Sequence, residues 1–172
     1  MSQTKQQTTY QSELERAETK CQIYKAAAKR YKKYDLYAFV TPLMLLQIAN
    51  TVIPLVISSV ETEPTDLDAD KLDPSNALIC VILAAFSGTY IGLSQKLRWG
   101  EKSVKYSNMA NTYTLLITQI QHEISQMAVK SSSQQEMVGF LRKQAAIETN
   151  ARKNCPLAPA DIVDFYTNKK DG

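Results

Sequence analysis

The stretch LYAFVTPLMLLQIANTVIPLVISSV, residues 36–60, contains no Asp, Glu, Lys or Arg, and neither does ALICVILAAFSGTYIGLSQ, residues 77–95. At the rise of a helix the two would extend roughly 37 and 28 Å, against a bilayer hydrocarbon core of about 30 Å. The competing reading is a buried hairpin in a soluble helical protein. Core helices of a small soluble domain are usually amphipathic, because only one side can be buried. Neither segment offers a charged face at any helical phase, so the pair reads as a transmembrane hairpin. The mostly polar residues 1–35 ahead of it do not fit a signal peptide.

The flanks set the expected topology. Between the segments lies ETEPTDLDADKLDPSN, residues 61–76, where Glu61, Glu63, Asp66, Asp68, Asp70 and Asp73 face a single Lys71. Lys20, Lys25, Lys29, Arg30, Lys32 and Lys33 precede the first segment, and Lys96, Arg98, Lys102 and Lys105 follow the second. The excess of basic residues at both outer ends predicts cytoplasmic termini and a short acidic loop outside. The fold class expected is therefore all-α: an integral membrane helical hairpin, residues 36–95, carrying helical extensions.

Working outward, residues 1–11 are polar and predict a disordered N-terminus. Ser12 and Glu15 fit a capping box, and Leu14, Ala17, Cys21, Tyr24, Ala28 and Tyr31 recur at helical steps. Residues 12–35 thus read as a basic amphipathic helix. After Gly100 the helical period returns with Tyr106, Met109, Ala110, Tyr113, Leu116, Ile117, Ile120, Ile124 and Met127 on one face of a helix over about 101–129, read as a continuation of the second span. That stripe is too apolar to stay solvated. It predicts a partner, either the N-terminal helix or another chain. The serines at 131–133 interrupt the pattern, and a second helix over 134–152 completes a cytoplasmic helical region, 96–152. NCPLAP then breaks the chain, and Pro159 opens a short final helix at 160–166 within a terminal stretch 153–172.

Within the hairpin, Pro42 and Pro54 each remove a helix hydrogen bond and predict kinks. Gln47, Asn50 and Thr51 lie between them at steps of three and four, forming a polar membrane stripe. It reads either as a pore-facing surface of an oligomer or as an interhelical hydrogen bond within the hairpin. Ala84, Gly88 and Gly92 repeat every four residues, the small-residue spacing that lets helix backbones approach closely. Their partner would be the first span or the same helix of another chain. Tyr34, Tyr37, Tyr90 and Trp99 fit interfacial anchors.

The chemistry of an enzyme is missing. His122 is the only histidine among 172 residues, and Cys21, Cys80 and Cys155 are widely separated, so no metal-ligand spacing arises. Reduced thiols are the expected state. Five glycines include no phosphate-cradling loop, and the acidic loop lacks the EF-hand pattern. No catalytic, cofactor or metal residues are expected. A lipid bilayer and further copies of the chain are the expected partners, with a protein partner on the cytoplasmic helices and no nucleic acid.

A basic helix ending in YKKYDLY leads into one span, and a second span runs through LSQKLRWGEKSVKYSNMANTY into a long cytoplasmic helix. This order of parts, over about residues 12–130, resembles the SLATT family of two-transmembrane effector domains associated with nucleotide-sensing conflict systems. The resemblance implies an oligomer that permeabilises or perturbs a membrane when an upstream sensor is triggered, and it brings no catalytic residues with it. Two functions are thus expected to compete. One is a pore-forming membrane effector. The other is a structural, membrane-anchored scaffold, such as a membrane component of a virus particle, that holds partners through the stripe from Tyr106 to Met127.

Overall fold

The structure, a computed structural model, describes residues 3–60, 74–127 and 134–168. Among these the chain forms six α-helices: α1 (Gln3–Asp35), α2 (Thr41–Val60), α3 (Pro74–Leu97), α4 (Trp99–Met127), α5 (Gln134–Lys153) and α6 (Ala160–Asn168). A π-helical turn, Leu36–Val40, lies between α1 and α2. No strand occurs among the described residues, and the chain is all-α. The helices fall into two compact units, Lys33–Trp99 on one hand and Met1–Lys32 with Gly100–Gly172 on the other. The predicted N-terminal helix and the predicted C-terminal helices are thus one structural unit rather than two. Residues 61–73 of the acidic connection and the serines at 131–133 lie outside the described residues, and the last three residues expected in that connection, 74–76, are the first of α3.

In the unit built from both ends of the chain, α4 supplies the core. Tyr106, Met109, Ala110, Tyr113, Leu116 and Ile120 are all buried, and Ile117, Ile124 and Met127 pack against them half-buried. From α1 come Ala17, Cys21, Ile23, Tyr24 and Ala27, with Met137 of α5 and Ile162 of α6 closing the cluster. Tyrosines lock the register: Tyr24 stacks on Tyr113 with ring centroids 5.6 Å apart, and Tyr31 tilts on Tyr106 at 5.3 Å. Such pairs add about 0.5–1.5 kcal/mol each beyond area burial. The Tyr106 hydroxyl donates to the Leu157 carbonyl at 2.8 Å, which pins the NCPLAP break onto α4.

Two boundaries differ from the sequence reading. Helix α1 begins at Gln3, not at Ser12. Tyr10 lies one helical step before Leu14, is only 2% exposed, and packs on Phe140 of α5 at 5.8 Å. The polar N-terminus is therefore ordered by a tertiary contact that local composition did not signal. The second difference is at Arg98, whose φ of 46° separates α3 from α4. A residue with a Cβ is disfavoured in this left-handed region, but it provides a common helix stop, and the Arg98 N–H donates to the Ser94 carbonyl at 3.0 Å. The helix expected over 101–129 starts just beyond this residue, so it does not simply continue the second span.

In the unit Lys33–Trp99, α2 and α3 run in opposite directions, since Tyr34, Phe39 and Asn50 meet Trp99, Tyr90 and Ser87 in reverse order. Phe39 is the buried residue between them, 4% exposed and within 5.5 Å of the Tyr90 ring and 5.0 Å of the Trp99 ring. Tyr34 packs on Trp99 at 5.4 Å, so the aromatic residues expected as anchors close the base of the hairpin. Pro42 has a local consequence. Just before it the helix widens into the π turn, where Thr41 gives both its N–H and its hydroxyl to the Leu36 carbonyl. In a regular helix the Ala38 carbonyl would accept from residue 42, and proline has no N–H to give. The Tyr90 hydroxyl donates to Ala38 instead. Helix α3 thereby caps the gap that proline opens in α2.

This arrangement predicts a conditional cost. Tyr90→Phe is expected to destabilise the hairpin by about 1 kcal/mol, and by much less in a Pro42→Ala background, where the substituted alanine returns the missing N–H. A double-mutant cycle read by denaturation in detergent checks this. Equal costs in the two backgrounds would contradict the pairing.

Candidate functional site

The hairpin residues singled out by sequence divide between its two sides. Asn50 donates its side-chain amide to the Ser87 hydroxyl at 3.3 Å, joining α2 to α3. Ser87 passes its own proton to the Leu83 carbonyl at 2.8 Å. Thr51 donates to the Gln47 carbonyl within α2 at 2.9 Å, and both Gln47 and Thr51 are exposed. The Gln47 side-chain amide makes no hydrogen bond among the described residues. The predicted polar stripe is thus split. Asn50 is an interhelical contact, while Gln47 and Thr51 line an open apolar groove with Met44, Ile48 and Val52.

On α3 the face toward α2 is Leu83, Ser87, Tyr90 and Ser94, all half-buried. Ala84, Gly88 and Gly92 are exposed. A Cβ built on Gly88 or Gly92 would meet nothing within 4 Å. Of the two partners weighed for this small-residue face, the first span of the same chain is not the one in contact. The face is left open. Cys80 is exposed on the same helix, and all three cysteines are free thiols.

The stripe on α4 is covered from within the chain. Its partner is α1, with α5 and α6 completing the cover. Cys21 donates to the Ala110 carbonyl at 3.6 Å and lies 3.5 Å from the Thr114 hydroxyl, and the Ser103 hydroxyl donates to the Ala28 carbonyl at 3.0 Å. A soluble protein could not dock on Tyr106, Met109, Tyr113, Leu116 or Ile120 without displacing those helices, which corrects the expectation of a free partner-binding stripe. His122 is exposed and shares a hydrogen bond with Gln126 at 2.9 Å.

The cluster that sequence reading missed is centred on Glu148 of α5. Its Oε1 accepts from Lys20 at 2.7 Å, from Arg152 at 2.6 Å and from the Tyr113 hydroxyl at 2.9 Å, while Oε2 accepts from Arg16 at 2.9 Å. Arg16 also reaches Glu13 at 3.2 Å. Burial by itself would raise the pKa of this carboxyl. The hydrogen bonds from Lys20 and Tyr113, with the charges of Lys20 and Arg152, outweigh burial and hold it down to about 2. Lys20 moves the other way from a usual paired lysine. Burial lowers its pKa, and the adjacent guanidinium groups of Arg16 and Arg152 lower it further, against the support of Glu148. The ionised carboxylate therefore gains from the cluster, while Lys20 is the strained member. Burial raises the Tyr113 hydroxyl as well, which keeps it a donor. The traces of this cluster in the sequence are Arg16 and Lys20 one turn apart, and Glu148 and Arg152 one turn apart. Neither pair reveals that they converge.

Beside this cluster is a cleft of about 800 Å³ between α1, the NCPLAP segment and α6. Its floor is Ile23 and Tyr24, and Ala158 and Val163 form the facing wall. Arg30 of α1 pairs with Asp161 across the same two helices. Compared with known proteins, the chain matches no family model, no curated protein and no solved structure.

The depressed pKa of Glu148 fixes a pH dependence. Its stabilisation is complete above the ordinary carboxyl value of 4.5 and is lost as pH falls toward about 2. Glu148→Gln is expected to cost about 2 kcal/mol at neutral pH, below the figure for a fully buried pair because Arg16 and Arg152 are half exposed. The variant should also lose part of the acid limb. Denaturant melts of the full chain, followed by near-ultraviolet circular dichroism of the tyrosines at neutral and acid pH, measure both effects.

Proposed function

We propose that this chain is a non-enzymatic two-pass membrane protein whose hairpin lies in the bilayer, self-associates there, and acts by permeabilising it. One observation carries the reading. Two helical runs are long and apolar enough to cross a membrane, with mean hydropathies of 1.6 and 1.7, and only 6% and 0% of the residues in those windows are buried. The core helix of a soluble protein would have most of that surface covered. Here Met44, Leu45, Val81 and Phe86 are each more than 60% exposed. Facing water they would present a large contiguous apolar patch; facing lipid tails they carry no such penalty.

The details of the hairpin agree with a lipid environment. In hydrocarbon every backbone polar group needs an internal partner, and the Ala38 carbonyl finds one in Tyr90 despite Pro42. The basic flanks of both spans favour cytoplasmic ends and an external acidic loop. Gln47 presents an amide, and Gly88 and Gly92 present bare backbone, on surfaces that none of the described residues covers. Both are features that associating membrane helices satisfy mutually. The SLATT-like order of parts points the same way. The scaffold alternative depends on partner docking along the α4 stripe, and the chain's own helices occupy that stripe.

The test uses liposomes reconstituted with the full chain, assayed for dye release alongside chemical crosslinking. Release should rise with oligomer formation. Gly88→Leu should reduce both by about tenfold, roughly the effect of 1.4 kcal/mol. The added side chain meets nothing within the protomer, so a loss would report contact between copies rather than misfolding. Leakage unchanged by Gly88→Leu removes this face from the mechanism. Liposomes that stay tight at every assembly state reject the permeabilising function.

A further inference from the structure

Of the three polar residues singled out on α2, two find their partners within the protomer. Asn50 donates to Ser87 across the hairpin, and the Thr51 hydroxyl donates to the Gln47 carbonyl one turn back. The Gln47 side-chain amide has no partner among the described residues and is exposed in a groove with Met44, Ile48, Thr51 and Val52. Its depth decides what can satisfy it. Gln47 lies eleven residues in from Leu36 and thirteen from Val60, or roughly 16 and 20 Å of helix. With the hairpin in a hydrocarbon core of about 30 Å, the amide sits near the midplane, out of reach of the headgroups. Lipid tails offer it no hydrogen bond, and a bare amide there carries the full cost of its desolvation. Water fits no better, because a file of water along this face would run past Met44, Ile48 and Val52 without a polar partner.

We infer that the α2 groove is filled by α2 of a second copy of this chain, the two Gln47 amides hydrogen-bonded to each other across a two-fold axis along the membrane normal. An amide carries both donors and an acceptor, so it is complementary to itself, as a residue on a two-fold axis must be. The basic flanks insert every copy in the same sense. Two α2 helices therefore meet in parallel, and each position faces its own counterpart. Met44, Gln47 and Thr51 are spaced by three and then four residues, the seam along which parallel helices interlock. The Thr51 hydroxyl gives its proton to its own helix and keeps its lone pairs for the second N–H of the other copy's amide. The inference rests on the membrane reading and adds to it a contact distinct from the open Gly88–Gly92 face.

The full chain with Cys80→Ala, which removes the exposed thiol of α3, would be reconstituted in phosphatidylcholine bilayers with one cysteine added. Met44→Cys lies in the groove, and Phe86→Cys on α3 is the control, since Met44 and Phe86 are each 64% exposed. Disulfides formed by copper–phenanthroline and located by mass spectrometry should link Met44→Cys to itself at least about tenfold faster than Phe86→Cys. Energy transfer between labelled copies diluted in lipid gives the dissociation constant. Gln47→Leu should raise it about tenfold, and Gln47→Asn, which keeps an amide, should restore most of the loss. Equal crosslinking at the two positions, or association indifferent to Gln47→Leu, would overturn the inference. So would Met44→Cys pairing with Gly88→Cys of mixed copies instead of with itself, because the contact would then run head to tail. Rapid labelling of Thr51→Cys by a membrane-impermeant thiosulfonate would overturn it as well, since the groove would be wet. Alkaline carbonate extraction separates the two kinds of failure. A chain released from the bilayer rejects the membrane reading together with this contact, whereas an integral chain that fails these tests rejects the contact alone.

Discussion

The stacking of Tyr24 on Tyr113 joins two helices that the chain separates by its entire apolar hairpin. Cys21 reaches Ala110 across 89 residues of sequence. Closing so long a segment carries an entropic cost that rises only slowly with length, and the buried faces of α1 and α4 offset it. The contact also constrains the segment between them. Since Ser103 bonds to Ala28, and Tyr34 packs on Trp99, residues 33–99 leave and return at neighbouring points of the chain. Two antiparallel helices satisfy this condition, and an odd number of helices of this length would not.

Inside the hairpin the governing constraint is backbone satisfaction. Proline in a helix interior would ordinarily be costly, and it is tolerated here because two devices meet at the same place. The π turn lets Thr41 double its bond to Leu36, and a tyrosine of the opposite helix reaches the Ala38 carbonyl, the one that Pro42 would have served in a regular α-helix. The same contact orients α3, so the face bearing Ser87 and Tyr90 turns inward and the face bearing Gly88 and Gly92 turns outward. A defect in one helix thus decides which surface of the other is left open.

In the end-to-end unit the electrostatics follow an uneven division. One carboxylate serves three cations and a phenol, and its own ionisation is strongly favoured. Lys20, beside two guanidinium groups and partly buried, is held in place by Glu148 against its own preference for water. Buried charge of this kind adds little net stability compared with apolar packing. Its structural effect is specificity. Arg16, Lys20, Tyr113 and Arg152 have a shared acceptor in only one register of α1, α4 and α5.

Much of this was legible in the sequence. Two uncharged segments dictated two long apolar helices, because a helix with no charged face has no side suited to water. The repeat from Tyr106 to Met127 dictated a buried face on α4, since the 3.6-residue period places those side chains on one stripe. Sequence could not say what covers that stripe, because α1, α5, another chain and a soluble partner all present suitable apolar residues at helical spacing. It also placed Gln3 to Gln11 outside the helix, since Tyr10 is a core residue only by virtue of Phe140. The splitting of Asn50 from Gln47 and the convergence on Glu148 were decided in the tertiary structure alone. Helical spacing fixes which residues share a face, but the rotation of one helix against another fixes what that face meets.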